Sequence, residues 1–236
     1  MEKFNNIVLN VPHASIERYS EGWTSKALMF PLVKRWTDWH TDLLFGCVGK
    51  TSKVNMVRFP YSRFYCDAER LEHDPLEEKG QGIIYTQFEG FKRAVSASDT
   101  KSLMFMWAAH QSTLMGELKK DCERSIIIDC HSFPSDLADV DICIGFNEDW
   151  SKPEGHTIDD VVTLFSSNGY KVGVNYPYSN SITPYAEFRY KSLMIEVNKR
   201  CYMYEDKLEL NNIMFPKFNK LINKLYLSLL TGKLKC

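Results

Sequence analysis

One stretch constrains this chain more than any other: three consecutive isoleucines, Ile126, Ile127 and Ile128, followed at once by Asp129, Cys130, His131 and Ser132. A short β-branched apolar run of this kind reads as a strand buried on both faces, which belongs to a sheet with helices packed on either side. The run turns abruptly polar, and Pro134 and Ser135 then mark a loop. In open α/β sheets the carboxyl ends of strands are where ligands and catalytic groups collect. A neutral imidazole delivered there is a good zinc ligand, and a carboxylate beside it can orient the ring. The competing reading is a strand-end histidine satisfied by the backbone.

The N-terminal region repeats the pattern. Residues 6–11 (Asn-Ile-Val-Leu-Asn-Val) read as a strand ended by Pro12, and His13 follows immediately. Two histidines at the ends of parallel neighbouring strands would share one edge of the sheet, so the coincidence favours a metal site over two unrelated structural histidines. A carboxylate would complete it. Residues 24–49 carry apolar side chains at helical spacing, with Thr24 as a candidate cap and Pro31 as an expected break or kink. Asp38, within this segment, is the leading third ligand, with His40 and Asp42 of the same segment and Glu17 ahead of it as lesser candidates.

Composition excludes several other classes. Twenty-nine basic against 30 acidic residues give a net charge of −1, so no bulk field favours nucleic acid or an anionic membrane. No stretch approaches a membrane span, and the N-terminus lacks a signal-peptide layout. The seven cysteines (47, 66, 122, 130, 143, 201, 236) form no CxxC pair, which points to reduced thiols in a cytoplasmic compartment and against a cysteine-held zinc. With 236 residues and no repeat or linker, the chain reads as a single α/β domain spanning 1–236, a mixed, mostly parallel sheet flanked by helices.

The remaining signals concern substrate and proton transfer. A second strand over 53–59 leads into Arg63, Asp67 and Arg70; guanidinium groups among apolar neighbours are suited to gripping a carboxylate with paired hydrogen bonds, Asp67 serving to position an arginine. Residues 71–90 read as an exposed, lid-like loop from which Tyr85 reaches back into a cleft. A helix is expected over 102–122, with His110 structural or exposed, then a strand over 140–145, a helix over 157–168 and a strand over 171–174. The polar, aromatic loop 175–185 is expected to contact substrate, Thr183 among its residues. Residues 193–198 form an apolar strand interrupted by Glu196, a carboxylate whose burial is costly unless it is paired or protonated, and such groups serve as acids or bases. An amphipathic helix from about 205 to 230, broken at Pro216, closes the chain.

Taken in order, Val11-Pro12-His13-Ala14, Thr37-Asp38-Trp39-His40, Tyr61-Ser62-Arg63-Phe64 with Asp67 and Arg70, Asp129-Cys130-His131-Ser132, Asp141 with Gly145, and Ile195-Glu196-Val197-Asn198 before Tyr202-Met203 resemble the N-formylglutamate amidohydrolase family over about residues 7–204. The resemblance implies a zinc-carboxypeptidase-like (phosphorylase/hydrolase-like) fold, one zinc per chain, and hydrolysis of an N-acyl amide, with formyl among the acyl groups, on an amino acid or small peptide-like molecule. It further implies His13, Asp38 and His131 as zinc ligands, Glu196 as general base, and Arg63 and Arg70 on a substrate carboxylate. One departure stands out: the family's usual Asp-Leu-Asn-Arg is Asp67-Ala68-Glu69-Arg70 here, placing a carboxylate beside an arginine. The partner expected is thus a small carboxylate-bearing molecule. The alternative from another class is a non-catalytic module that binds an acidic metabolite through Arg63 and Arg70.

Overall fold

Side-chain alternation along the strands explains the layers. In the computed structural model, which describes residues 1–46 and 51–234, Ile7, Leu9 and Val11 point to one side of the sheet while Val8 points to the other, and all four are buried. Ile126 and Ile128 against Ile127 repeat the division. Burying each such side chain contributes roughly 2 kcal/mol, and both faces are covered as the isoleucine run requires.

The chain runs through β1 (Asn6–Val11), α1 (Lys26–Trp36), α2 (Thr41–Leu44), β2 (Val54–Arg58), β3 (Gln87–Phe88), β4 (Phe91–Lys92), α3 (Ala97–Leu118) and β5 (Ser125–Phe133). It continues through β6 (Ile142–Gly145), α4 (Gly155–Ser166), β7 (Val172–Val174), β8 (Lys191–Asn198), β9 (Met203–Tyr204), β10 (Glu209–Leu210) and α5 (Met214–Thr231). Six strands form one sheet in the order β2-β1-β5-β8-β6-β7. The first four are mutually parallel; β6 runs antiparallel to β8, and β7 is parallel to β6. The larger core lies between the sheet and helices α4 and α5, and the smaller one packs Leu114 and Leu118 of α3 on the opposite face. This is the single α/β domain with a mixed, mostly parallel sheet that the sequence implies. Among the described residues no helix is long and apolar enough to cross a membrane.

Four local expectations need correction. The strand carrying His131 is longer than the isoleucine run: pairing with β8 continues through Phe133↔Asn198, so Asp129 and His131 lie within a strand whose nine residues are all buried. The helix expected over 24–49 ends at Trp36; it starts from Ser25 rather than Thr24 and runs on past Pro31. Thr37 is extended and His40 is left-handed (φ 62°), so Asp38 sits on a break between α1 and α2, where its amide donates to His13 O at 3.0 Å. The end of that predicted segment, with Cys47, lies outside the described residues, as does Cys236. The last helix begins at Met214, because residues ahead of it pair in the β9–β10 hairpin; Pro216 then falls in its first turn, where a missing amide costs nothing.

Candidate metal centre and active-site cleft

The parallel β1–β5 pairing brings the two histidines together. His13 follows β1 by two residues, His131 lies in β5, and their ring centroids are 5.1 Å apart. The bond from Asp38 N to His13 O draws the α1–α2 break onto the same edge. Asp38 Oδ2 lies 3.0 Å from His131 Nδ1 and 3.7 Å from His13 Nδ1. All three side chains are buried, and their ligand atoms lie within 4.8 Å of one another.

The opposite edge of each ring also faces a carboxylate. His13 Nε2 is 2.7 Å from Asp67 Oδ1, a good hydrogen bond. His131 Nε2 lies 3.0 Å from Asp129 Oδ1, but the angle is not that of a hydrogen bond. Asp129 is itself fixed by Asn10 Nδ2 at 2.8 Å and by the Ile182 amide at 3.1 Å. Asp67 accepts further bonds from Tyr85 Oη at 2.7 Å and Arg63 Nη2 at 3.2 Å. A carboxylate behind each metal-binding imidazole sets its tautomer and raises its basicity.

Two other triplets in this cluster have metal-like spacing, His13–Asp67–Glu69 and Glu69–Asp129–His131. The first-named set, His13, Asp38 and His131, fits an ion best. Asp67 already occupies His13 Nε2, which leaves buried His13 Nδ1 without any hydrogen-bond partner and directed toward Asp38. A two-imidazole, one-carboxylate donor set is that of catalytic zinc sites with an open position.

Burial and charge pull the acids in opposite directions. Burial alone would raise Asp38, but the two neighbouring imidazoles, His131 in hydrogen-bond contact and His13 beside it, outweigh it and hold the carboxyl far below the ordinary range. Asp67 is likewise held well down, against its burial, by His13, Arg63 and Arg70. Glu196 behaves differently: burial dominates and pushes it up to about 8. It stands opposite His131 in the β5–β8 register. Burial also raises the Tyr85 hydroxyl to about 12, so it remains a donor to Asp67.

These groups floor a cavity of about 580 Å³ lined by Asp38, Arg63, Glu69, Arg70, His131 and Glu196. Tyr85 lines it too, although its hydroxyl is committed to Asp67. Trp36, Leu76, Phe88 and Glu89 also line it, as do Pro177, Tyr178 and Ser179. The latter loop can lie on the end of β6 because Gly145 lacks a side chain: a Cβ there would meet Asn180 O at 2.5 Å.

Most of the residues singled out in the sequence converge here, but Thr183 does not. It lines a separate depression with Trp107, Trp150 and Tyr185, since Ile182 turns inward to bond Asp129 and the chain then leaves the cleft. The lesser third-ligand candidates are also elsewhere: His40 Nε2 contacts Leu208 O at 2.9 Å, Asp42 pairs with Arg58 at 3.1 Å, and Glu17 is exposed. His110 is buried and its Nε2 lies 2.9 Å from Asn10 Oδ1, so it braces the residue that braces Asp129. Of the cleft-wall residues Trp36, Phe88 and Glu89, the sequence marks Trp36 only as one of the apolar positions at helical spacing in 24–49 and the other two only as part of an exposed loop.

A family model described as N-formylglutamate amidohydrolase matches residues 5–203. Among solved structures, an N-formylglutamate amidohydrolase from Ralstonia eutropha JMP134 superposes with a TM-score of 0.75 at 19% identity, over 98% of this chain and 94% of that one. A gene product from Agrobacterium tumefaciens gives 0.64 at 15% identity, over 97% and 92%. These likenesses show the fold. No curated protein matches the chain in sequence.

Proposed function

This chain belongs to the N-formylglutamate amidohydrolase family, and we propose that it hydrolyses the N-acyl amide of a small, carboxylate-bearing amino acid or peptide-like molecule with the help of one zinc ion. The observation that carries this reading is the convergence of His13 and His131 on Asp38, with the buried Glu196 paired across from His131 in the neighbouring strand. His13, Asp38 and His131 would hold the ion, and Asp67 and Asp129 would fix the two rings. Bound there, zinc supplies Lewis acidity, polarising an amide carbonyl and making water easier to deprotonate near neutral pH.

The chain's own residues do the rest. Glu196, raised to about 8 by burial, exchanges a proton near neutral pH. It takes one from the attacking water and passes it to the amide nitrogen as the carbon–nitrogen bond breaks, leaving a carboxylic acid and a free amine. Arg70, which lines the cleft and makes no side-chain hydrogen bond among the described residues, orients the substrate's carboxylate. Tyr85 and Arg63 hold Asp67, and through it the ring of His13.

Glu196→Gln tests the assignment. The amide cannot accept the water's proton, so turnover of N-acyl amino acids should fall by about 10²-fold or more while zinc content stays that of the parent protein. Unchanged turnover would remove Glu196 from the reaction.

A further inference from the structure

The charge in the cleft does not match a doubly acidic substrate. Arg63 is already engaged, its Nη2 lying 3.2 Å from both Asp67 Oδ2 and Tyr85 Oη. Arg70, which also lines the cavity, makes no side-chain hydrogen bond among the described residues and lies 3.9 Å from both Asp67 Oδ2 and Asp74 Oδ2, so it is the arginine left to take one carboxylate. Beside it stands Glu69, whose carboxylate is 3.7 Å from Arg70 Nη1, 3.6 Å from His131 Nε2 and 3.7 Å from His13 Nε2. Each of these separations is beyond hydrogen-bond length, and among the described residues none hydrogen-bonds to the Glu69 carboxylate, which faces the cavity with its side chain 21% exposed.

A second carboxylate stands at the mouth. Glu89 accepts a hydrogen bond from Trp36 Nε1 at 2.9 Å, and the rings of Trp36 and Phe88 meet edge to face beside it. Setting aside the groups assigned to metal and proton transfer, the lining carries Arg63 and Arg70 against Glu69 and Glu89, with Asp67 buried directly behind the arginines. The balance is negative. A dianion entering this space meets uncompensated like charge, whereas a carboxylate accompanied by a cation finds a partner for each. Aromatic faces lining the exit add to the attraction for a cation.

We infer that Glu69 selects amides whose amine portion carries a positive charge as well as a carboxylate, as in the Nα-acyl derivative of a diamino acid. The inference rests on the amidohydrolase reading of the same site and narrows it: the carboxylate goes to Arg70, the ammonium to Glu69 with Glu89 beyond it. Substrates carrying a second carboxylate are disfavoured by the same two groups.

The test is calorimetric titration of zinc-replete protein, parent and Glu69→Gln, with Nα-acetyl-lysine, Nα-acetyl-leucine and Nα-acetyl-glutamate. Turnover of the acetyl and formyl derivatives is followed in the same samples. The parent should bind the lysine derivative most tightly and the glutamate derivative least, by about tenfold or more between them. Glu69→Gln should weaken the first, strengthen the last and bring the three close together, with zinc content unchanged. Equal or tighter binding of the glutamate derivative by the parent overturns the inference. So do a uniform shift across all three ligands, loss of zinc from Glu69→Gln (which would make Glu69 a metal ligand), and failure of the parent to bind any of them. Charge preference without turnover would instead count against the hydrolase reading and leave the role of Glu69 standing, and turnover without preference would do the reverse.

Discussion

The floor of the cleft and its rim are built by different means. The floor comes from strands and their ends: His13 just after β1, Asp129 and His131 in β5, Glu196 in β8. Its side chains are almost wholly buried, and His13, Asp129 and His131 are each held by a side-chain hydrogen bond to another buried group. The rim is made of loop and helix-end residues, Trp36, Glu69, Phe88, Glu89 and Tyr178, which are more exposed and more sparsely bonded. Chemistry needs groups held to fractions of an ångström, which a paired strand provides; recognition of one substrate over another is adjusted on loops that such a scaffold carries. On this account changes to the floor alter metal binding and turnover, and changes to the rim alter which amide is taken.

Three perturbations probe that division, taken from the largest expected effect. The floor rests on buried, uncharged His110, whose pKa burial lowers to about 4. The unfolded chain, with an ordinary histidine value near 6.5, binds more protons between those limits, so the native state loses stability as pH falls through that window. The loss from this group should reach about 3 kcal/mol by pH 4, and urea denaturation of parent and His110→Gln at pH 7 and pH 4 should show the variant losing less. Equal losses would show that His110 does not brace the floor in the neutral form. Next, Asp67→Asn leaves the His13 ring without its carboxylate, and zinc affinity should weaken by about 10- to 100-fold in a competition with a chelator. Unaltered affinity would break the assignment of Asp67 as the group that orients His13. The smallest effect belongs to the rim: Trp36→Ala should raise KM by less than about tenfold with kcat little changed, since it removes apolar contact made equally in ground and transition states. A drop in kcat with KM constant would move Trp36 from rim to floor.

The same division separates what could be read from the sequence from what could not. The strands of the floor are legible because a doubly buried strand must be an unbroken apolar run, so Asp129 and His131 stand out where the isoleucine run turns polar and Glu196 as a polar exception within its run. Asp38 lies in the cluster with His13 and His131, but on a break between helices and not within the expected helix. Helical periodicity around it is real; the break that frees it is set by a long-range bond to His13 O and by the left-handed turn at His40, neither of which periodicity reports. The start of α5 was misplaced for a similar reason, since pairing between β9 and β10 overrides the local pattern. Thr183 was read with its loop into the cleft, whereas the chain turns away after Ile182. The arginines are legible as cleft residues, but the bond that ties Arg63 to Asp67 depends on side-chain packing that spacing does not encode. Glu69 was visible only as a departure from a pattern; its open carboxylate over both histidines required the structure.

The measurement that bears most directly on the central claim is elemental analysis of the purified protein beside His131→Ala. About one zinc per chain is expected in the parent and none in the variant, because the site loses one of its two imidazoles. Protein that holds no metal and takes none up when zinc is added, or a variant that keeps the parent's zinc, would contradict it.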